Sequence, residues 1–467
     1  MAQRWKVLVL TSVGLFMASL DLFIVNIAFP DLSRAFDGAS LSDLSWVLNA
    51  YAIVFAALLV PAGRIADRVG RKRVFLLGLL AFSLASALCA VAPSVLALDA
   101  ARVLQAAGGA MMVPTTLGLI LSAFPPEQRA AAIGIWSAVG AVAAALGPPL
   151  GGLLVQISWH WIFLVNVPIG LVAALVGWRV LDEVREPEDG RPDLLGAGML
   201  AVGIGLLTLG IVQGPEWGWG GGRDIGVLAA AAALVAGFLL RSARHRSPVI
   251  ELPLLRVRSF ALANLATLVF FGGFGAMLLS GVLLLTEVWG YSELHAGIAL
   301  SPGPLMAAAF AIPSGRLGGR IGQRPVAIAG GLVFAGGFVI TLATVSADSA
   351  YATSFLPGFM ISGAGVGLTL GSLPAAATAE LPPSRFATGS AIFGMARQLG
   401  SAIGVAVLVA LIDSSAGDLL SGLRSGWWLA LGAGLGTALL ALALGPIGAE
   451  TRRRADRASA SAQRTPA

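Results

Sequence analysis

VLVLTSVGLFMASLDLFIVNIAFP, residues 7–30, holds 24 residues and a single charge, Asp21. A run of that length is what a helix rising 1.5 Å per residue needs to cross about 30 Å of hydrocarbon. It has no polar face, so it does not read as the amphipathic helix of a soluble domain. A carboxylate in such a place costs about 2.5–3.5 kcal/mol even on insertion scales, and its retention points to function.

The pattern of that first stretch repeats along the chain. Hydrophobic residues are 57% of the 467 and charged residues 12%, with a mean hydropathy of +0.87; soluble domains carry about 25% charged residues. Apolar blocks fall near 7–29, 44–62, 74–92, 95–121, 130–155, 161–181, 194–213, 225–242, 260–286, 296–314, 326–345, 353–376, 386–411 and 427–446, which predicts an all-α integral membrane protein of fourteen spans. The first block is too long for a cleaved signal peptide and no small-x-small site follows it, so it is expected to stay as a span. An even count puts both termini on one side. Alternate loops then divide the 30 Lys and Arg very unevenly: 25 fall on the side of the termini and three (Arg34, Arg223, Arg424) on the other. That split places the termini in the cytoplasm.

The formal charge of +6 is therefore a rim facing anionic lipid, and a nucleic-acid partner is not expected. The single cysteine, Cys89, lies inside an apolar block, so neither a disulfide nor a cysteine metal site is expected. With three histidines there is no constellation for catalysis, and no cofactor or metal is implied. No GxxxxGK[ST] loop is present to bind ATP. The final RRRADRASASAQRTPA reads as a disordered tail.

GRIADRVGRKRV (63–74) is echoed by GRLGGRIGQRPV (315–326), and FPPEQRAAAIGI (124–135) by LPPSRFATGSAI (381–392). Two similar offsets make the second half a repeat of the first, the build of many secondary transporters. The expected division is a six-helix bundle at 1–185, two additional helices with linkers at 186–258, a second six-helix bundle at 259–447 and the tail at 448–467.

In GRIADRVGRKRV, Gly63 and Gly70 allow tight turns, and Arg64, Arg68 and Arg71 supply topogenic charge. Asp67 has no topogenic use. It is expected to latch helices by accepting from a helix N-terminus or pairing with an arginine. GPPLGG (147–152) combines two prolines that bend a helix, Pro148 and Pro149, with Gly147, Gly151 and Gly152, which admit a close neighbour. In the fourth block Asp99, Arg102, Gln105, Gly109 and Met112 share one helical stripe. Asp21 lies about 21 Å from the inner face and Arg102 about 10 Å below the outer one, so the two stand at nearly equal depth. Arg397 falls near the midplane, and an anionic group or a cluster of helix carbonyls are its two expected partners. Asn26, Trp46, Asn49, Gln105, Met112, Trp136, Asn166, Phe270, Phe271, Met277 and Arg397 are candidates to line a cavity.

These motifs, with LDLFIVNIAFP (20–30), RVLQAAGGA (102–110), WHWIFLVNVPIG (159–170) and ARQLGSAIGVA (396–406), resemble the fourteen-span drug:proton antiporters of the major facilitator superfamily. Phe23, Ala106 and His160 depart from that pattern, as does Asp99. The resemblance implies the major facilitator fold, a cytoplasmic gate formed by the 63–71 loop, and export associated with GPPLGG. The expectation is a proton-coupled antiporter, not an enzyme, that exports small amphipathic or cationic compounds such as drugs. Asp21 would bind the proton, with Arg102 and Asp99 in the same machinery. Its partners are then substrate, protons and the bilayer, with no obligate protein partner, and its place is the bacterial inner membrane. An uptake permease of the same fold is the nearest rival reading; a non-transporting membrane sensor is a more distant one.

Overall fold

The computed structural model describes residues 3–36, 38–185, 192–381, 385–415 and 417–444. The expected tail at 448–467 and part of the first linker lie outside them. Among the described residues, fourteen helical segments are long and apolar enough to cross a membrane. They are formed by α1 (Gln3–Ile27), α3 (Leu41–Val69), α4 (Arg71–Ala90), α5 (Val95–Ala123), α6 (Pro126–Val155), the pair α7 (Trp161–Leu164) and α8 (Asn166–Val180), α9 (Leu194–Trp217), α10 (Gly222–Arg244), α11 (Arg258–Leu283), the pair α12 (Glu293–Ala299) and α13 (Pro302–Ile321), α14 (Gln323–Thr344), α15 (Leu356–Thr378), α16 (Phe386–Asp413) and α17 (Leu419–Leu442). A short helix, α2 (Phe29–Ala35), follows α1.

The helices are apolar around most of their circumference, as buried or lipid-facing helices are, and seven prolines inside them leave the helical runs unbroken. In α6 both Pro148 and Pro149 sit within one continuous helix. Three spans differ from the sequence reading: α3 runs on to Val69 and α13 to Ile321, so most of the stretches read as loops at 63–73 and 316–324 is helix, and the last span starts early. The last helix begins at Leu419, not near 427, because Asp418 caps it by accepting from the Ser421 amide. Arg424 thus stands in a helix, where it donates to the Val345 carbonyl at 3.1 Å.

The repeat is visible in the packing. In the first set α1 packs on α5, α6 and α8, and α4 on α5 and α8; in the second α11 packs on α15, α16 and α17, and α14 on α15 and α17. The two sets meet along two matching seams, α3 against α16 and α6 against α12 and α13. The additional helix α9 lies on both α3 and α16, and α10 packs on α9. The repeated loops turn alike: Gly70 joins α3 to α4 at φ 128° and Gly322 joins α13 to α14 at φ 98°, a region side chains avoid. The end of the bundle holding these two turns carries most of the arginines and is here termed the basic end; the opposite end is the far end.

Candidate functional site

Asp21 and Arg102 meet. The carboxylate on α1 is 0% exposed and the guanidinium on α5 1%. Arg102 donates to Asp21 Oδ2 at 2.5 Å, to Gln105 Oε1 at 2.6 Å and to the Val47 carbonyl of α3 at 2.9 Å. Gln105 donates in turn to Asp21 Oδ1 and to Ser86 Oγ of α4, both at 2.8 Å. The Cys89 thiol donates to Gln105 Oε1 at 3.8 Å. Tyr51 lays its ring 4.2 Å from the Arg102 guanidinium carbon. Four helices thus share one dry polar network. A buried pair of this kind is stable only while every member is satisfied, since losing one partner costs about 3–5 kcal/mol.

Asp99 does not join it. Among the described residues Arg102 pairs with Asp21 and not with Asp99, whose Oδ1 is buried without a hydrogen-bond partner. It stands one turn nearer the far end on the same helix.

Two adjoining chambers open beside this network, between the two helix sets. The larger is lined by Phe23, Asn26 and Pro148 from the first set and by Met277, Pro304, Phe359 and other apolar residues of the second. The smaller is lined by Asn26, Asn49, Gly275 and Ser401 among others. Asn26 belongs to both walls. Of the sequence candidates, Asn26, Asn49 and Met277 line the chambers. Arg397 lies one turn from Ser401, with its guanidinium carbon 5.8 Å from the Phe271 ring centre.

The other cavity candidates are corrected by the packing. Gln105 is consumed by the ionic network, and Met112 is fully buried in the core around Phe75 and Phe82. Trp136 packs on Leu8, Ile120 and Phe124, and Trp46 on the core around Ala52 and Phe393. Phe270 and Phe271 meet Phe274 and Phe334 edge-on or tilted in an aromatic cluster. Asn166 is buried at the start of α8 with neither amide atom partnered. Helical stripes were legible; which stripe met which neighbour was not.

At the basic end Asp67 pairs with Arg71 at 2.7 Å across the Gly70 turn, and Arg71 Nη1 reaches toward the Gly118 carbonyl of α5 at 3.5 Å. The N-terminus of α4 takes Glu183 instead of Asp67: the Lys72 amide donates to its Oε1 at 3.1 Å. A Cβ on Gly70 would collide with that carboxylate. Gly63 lies against Pro114, and Arg68 is exposed. Arg64 donates to Ser247 and pairs with Glu251 at 2.8 Å. Glu251 also pairs with Arg385, at 2.7 Å, at the start of α16. One carboxylate from the segment after α10 therefore ties α3 to α16. Sequence reasoning missed it, although Glu251 is the one acid in HRSPVIELPLLRVR (245–258).

At the far end GPPLGG makes the second seam. A Cβ on Gly147 or Gly151 would strike Phe23 or Ile27 of α1; one on Gly152 would fall 2.5 Å from the Glu293 carbonyl of α12. The contact is reciprocal, since Gly297 of α12 faces the Pro148 carbonyl. Above it Arg34 pairs with Asp31 at 3.0 Å and with Glu293 at 2.8 Å. Burial first, and then the Glu293 carboxylate, push Asp31 up to about 6 against the pull of Arg34.

Comparison with known proteins agrees with this architecture. The profile of the Major Facilitator Superfamily matches residues 11–405, and a second match covers 263–466. The chain is 37% identical over 420 residues to a probable actinorhodin transporter of Streptomyces coelicolor, covering 87% of this chain and 72% of that one. It is 36% identical over 408 residues to multidrug resistance protein Stp of Mycobacterium tuberculosis (86% and 74%) and 33% over 417 residues to the tetracenomycin C resistance and export protein of Streptomyces glaucescens (89% and 77%). The fold matches a bacterial homolog of the human lysosomal transporter Spinster with a TM-score of 0.64, at 18% identity over 95% of this chain and 98% of that one. Fourteen membrane-crossing helices, a repeated packing scheme and these matches together place the chain in the Major Facilitator Superfamily, as a multi-pass membrane transporter.

Proposed function

We propose that the protein is a proton-coupled antiporter that exports small amphipathic compounds across the bacterial inner membrane, with both termini in the cytoplasm. The observation that carries the reading is the Asp21–Arg102–Gln105 network: an ionisable pair sealed from solvent between four helices, beside a chamber built for apolar ligands. Protonation of Asp21 releases Arg102, and that exchange is the coupling step. The direction of transport is supported by the relatives named for resistance and export, and by the far-end seam that GPPLGG forms.

In this cycle residues 1–185 and 259–447 rock about the chambers, as alternating access requires. The Asp67–Arg71 pair across the Gly70 turn, with Arg64 and the Glu251 bridge, holds the cytoplasmic side, and the α6–α12 seam holds the external side. Asp99, with an unpartnered oxygen one turn outward of Arg102, is the proton's way in from the far end. The lining of the larger chamber is nearly all apolar, so the bulk of the substrate is hydrocarbon or aromatic.

The test is a pH-gradient assay in everted vesicles, with ethidium, a neutral dye and an acidic dye as probes. The wild-type protein should release protons against dye uptake. Asp21→Asn should abolish the exchange while the purified protein still binds dye. Gradient-driven export by Asp21→Asn would remove Asp21 from the coupling step.

A further inference from the structure

Arg102 is met by an anion, an amide oxygen and a carbonyl, but the other interior arginine is not. Among the described residues Arg397 makes no ion pair and no hydrogen bond, and its polar environment is reduced to the face of Phe271. It is half-buried, lines neither chamber itself, and none of its nitrogens is sealed by packing. One turn outward on the same two helices, Ser401 and Gly275 line the smaller chamber. Asn49 enters that chamber from α3. It is 0% exposed, and both its amide nitrogen and its amide oxygen lack partners. Asn26 joins this polar chamber to the apolar one.

The chemistry is one-sided. A guanidinium presents five N–H donors and no acceptor, in a fork that fits two oxygens. A cation over an aromatic ring gains about 0.5–2 kcal/mol, short of the several kcal/mol that an unpaired charge costs away from water. Asn49 adds a further donor and is left equally unpaired. No carboxylate lines either chamber among the described residues, since Asp21 is enclosed by its own partners. A guanidinium without an anion, near an amide without a partner, thus fits an acidic oxygen attached to an apolar body.

We propose that Arg397, assisted by Asn49, binds the acidic oxygen of the exported compound while the larger chamber holds its hydrocarbon part, so that the substrate class is amphipathic acids: carboxylic acids and acidic phenols or enols. The assignment rests on the export reading above and narrows it from amphipathic compounds in general.

Equilibrium binding without any gradient separates the two. The full-length protein in phosphatidylcholine nanodiscs is titrated with pyrenebutyric acid, its methyl ester and pyrenebutyl-trimethylammonium, and empty discs correct for partitioning. The acid should bind at least tenfold more tightly than the ester or the cation. Arg397→Gln should reduce the acid to the affinity of the ester and leave the ester unchanged; Arg397→Lys should keep part of the preference; Asn49→Leu should weaken the acid several-fold. Equal binding of acid and ester by the wild-type protein, or tightest binding of the cation, overturns the assignment whether or not the Arg397→Gln protein folds. Loss of the preference on adding phosphatidylglycerol means that lipid phosphate takes the place, which also overturns it. A preserved acid preference in a protein whose vesicles export no probe would sustain the binding assignment and defeat the export reading alone.

Discussion

Asp21 and Arg102 are each too costly to keep alone in hydrocarbon, and together they make a hydrogen-bonded unit with Gln105 and Ser86. Replacing Arg102 with leucine strands the carboxylate, which must then take a proton to remain buried. Arg102→Leu is therefore expected to be expressed at reduced level, with its thermal midpoint several degrees below wild type, and to lose gradient-driven export. Asp21→Asn keeps an acceptor for the guanidinium and should fall less in stability while losing export by at least tenfold. A thermal melt beside the vesicle assay distinguishes the two variants; melting of both at the wild-type midpoint would mean that the ion pair contributes no stability. This pair was legible in the sequence because charge in an apolar block is conspicuous and residue counting gives depth. Met112 was not, because a stripe on a helix carries no mark of which neighbour faces it, and here the neighbour is the Phe75 and Phe82 core.

At the scale of elements, the GPPLGG stretch was legible as a place of close approach, yet its partner α12 was not, since a seven-residue helix leaves no periodic trace. The seam is backbone against backbone at Gly152 and Gly297, and backbone cannot rotate aside as a side chain can. Gly152→Val should hold the far end apart: a cysteine introduced beside it, on a Cys89→Ser background, should react with an impermeant maleimide several-fold faster than in the parent. An unchanged rate would mean that the seam is not under compression. The Asp31–Arg34–Glu293 cluster on the same seam adds a pH dependence, with Glu287 as a further carboxylate nearby. Because burial, and then the neighbouring Glu293 carboxylate, raises Asp31 to about 6, protonation favours the assembled cluster. Its contribution is complete at acid pH and is lost as pH rises through about 6. Far-end closure, read by the same labelling, should tighten between pH 7.5 and 5.5, and Asp31→Asn should remove the pH dependence.

Over the whole molecule, the fourteen spans and the repeat were readable because hydrocarbon thickness fixes span length and the glycine turns at Gly70 and Gly322 recur in matching loops. The bridge from Arg64 through Glu251 to Arg385 was not readable, because it is made by three segments far apart in the chain. It gives the two additional helices a mechanical use: the segment that leaves α10 clamps the seam that α9 covers. Glu251→Gln should weaken that clamp. Spin labels on Arg68→Cys and Arg320→Cys, both exposed at the basic end on opposite helix sets, should then show a larger long-distance population; an unchanged distribution would assign the bridge to assembly alone. The orientation itself is checked with Trp219→Cys and Arg246→Cys, both at exposed positions. An impermeant maleimide added to intact cells should label the first and spare the second. The chain's sole thiol, meanwhile, touches Gln105 inside the ionic network and is closed to solvent. It is a built-in hygrometer: any turnover step that wets Asp21 also wets Cys89, so alkylation by a membrane-permeant reagent should quicken when a proton gradient is imposed and slow again when it collapses.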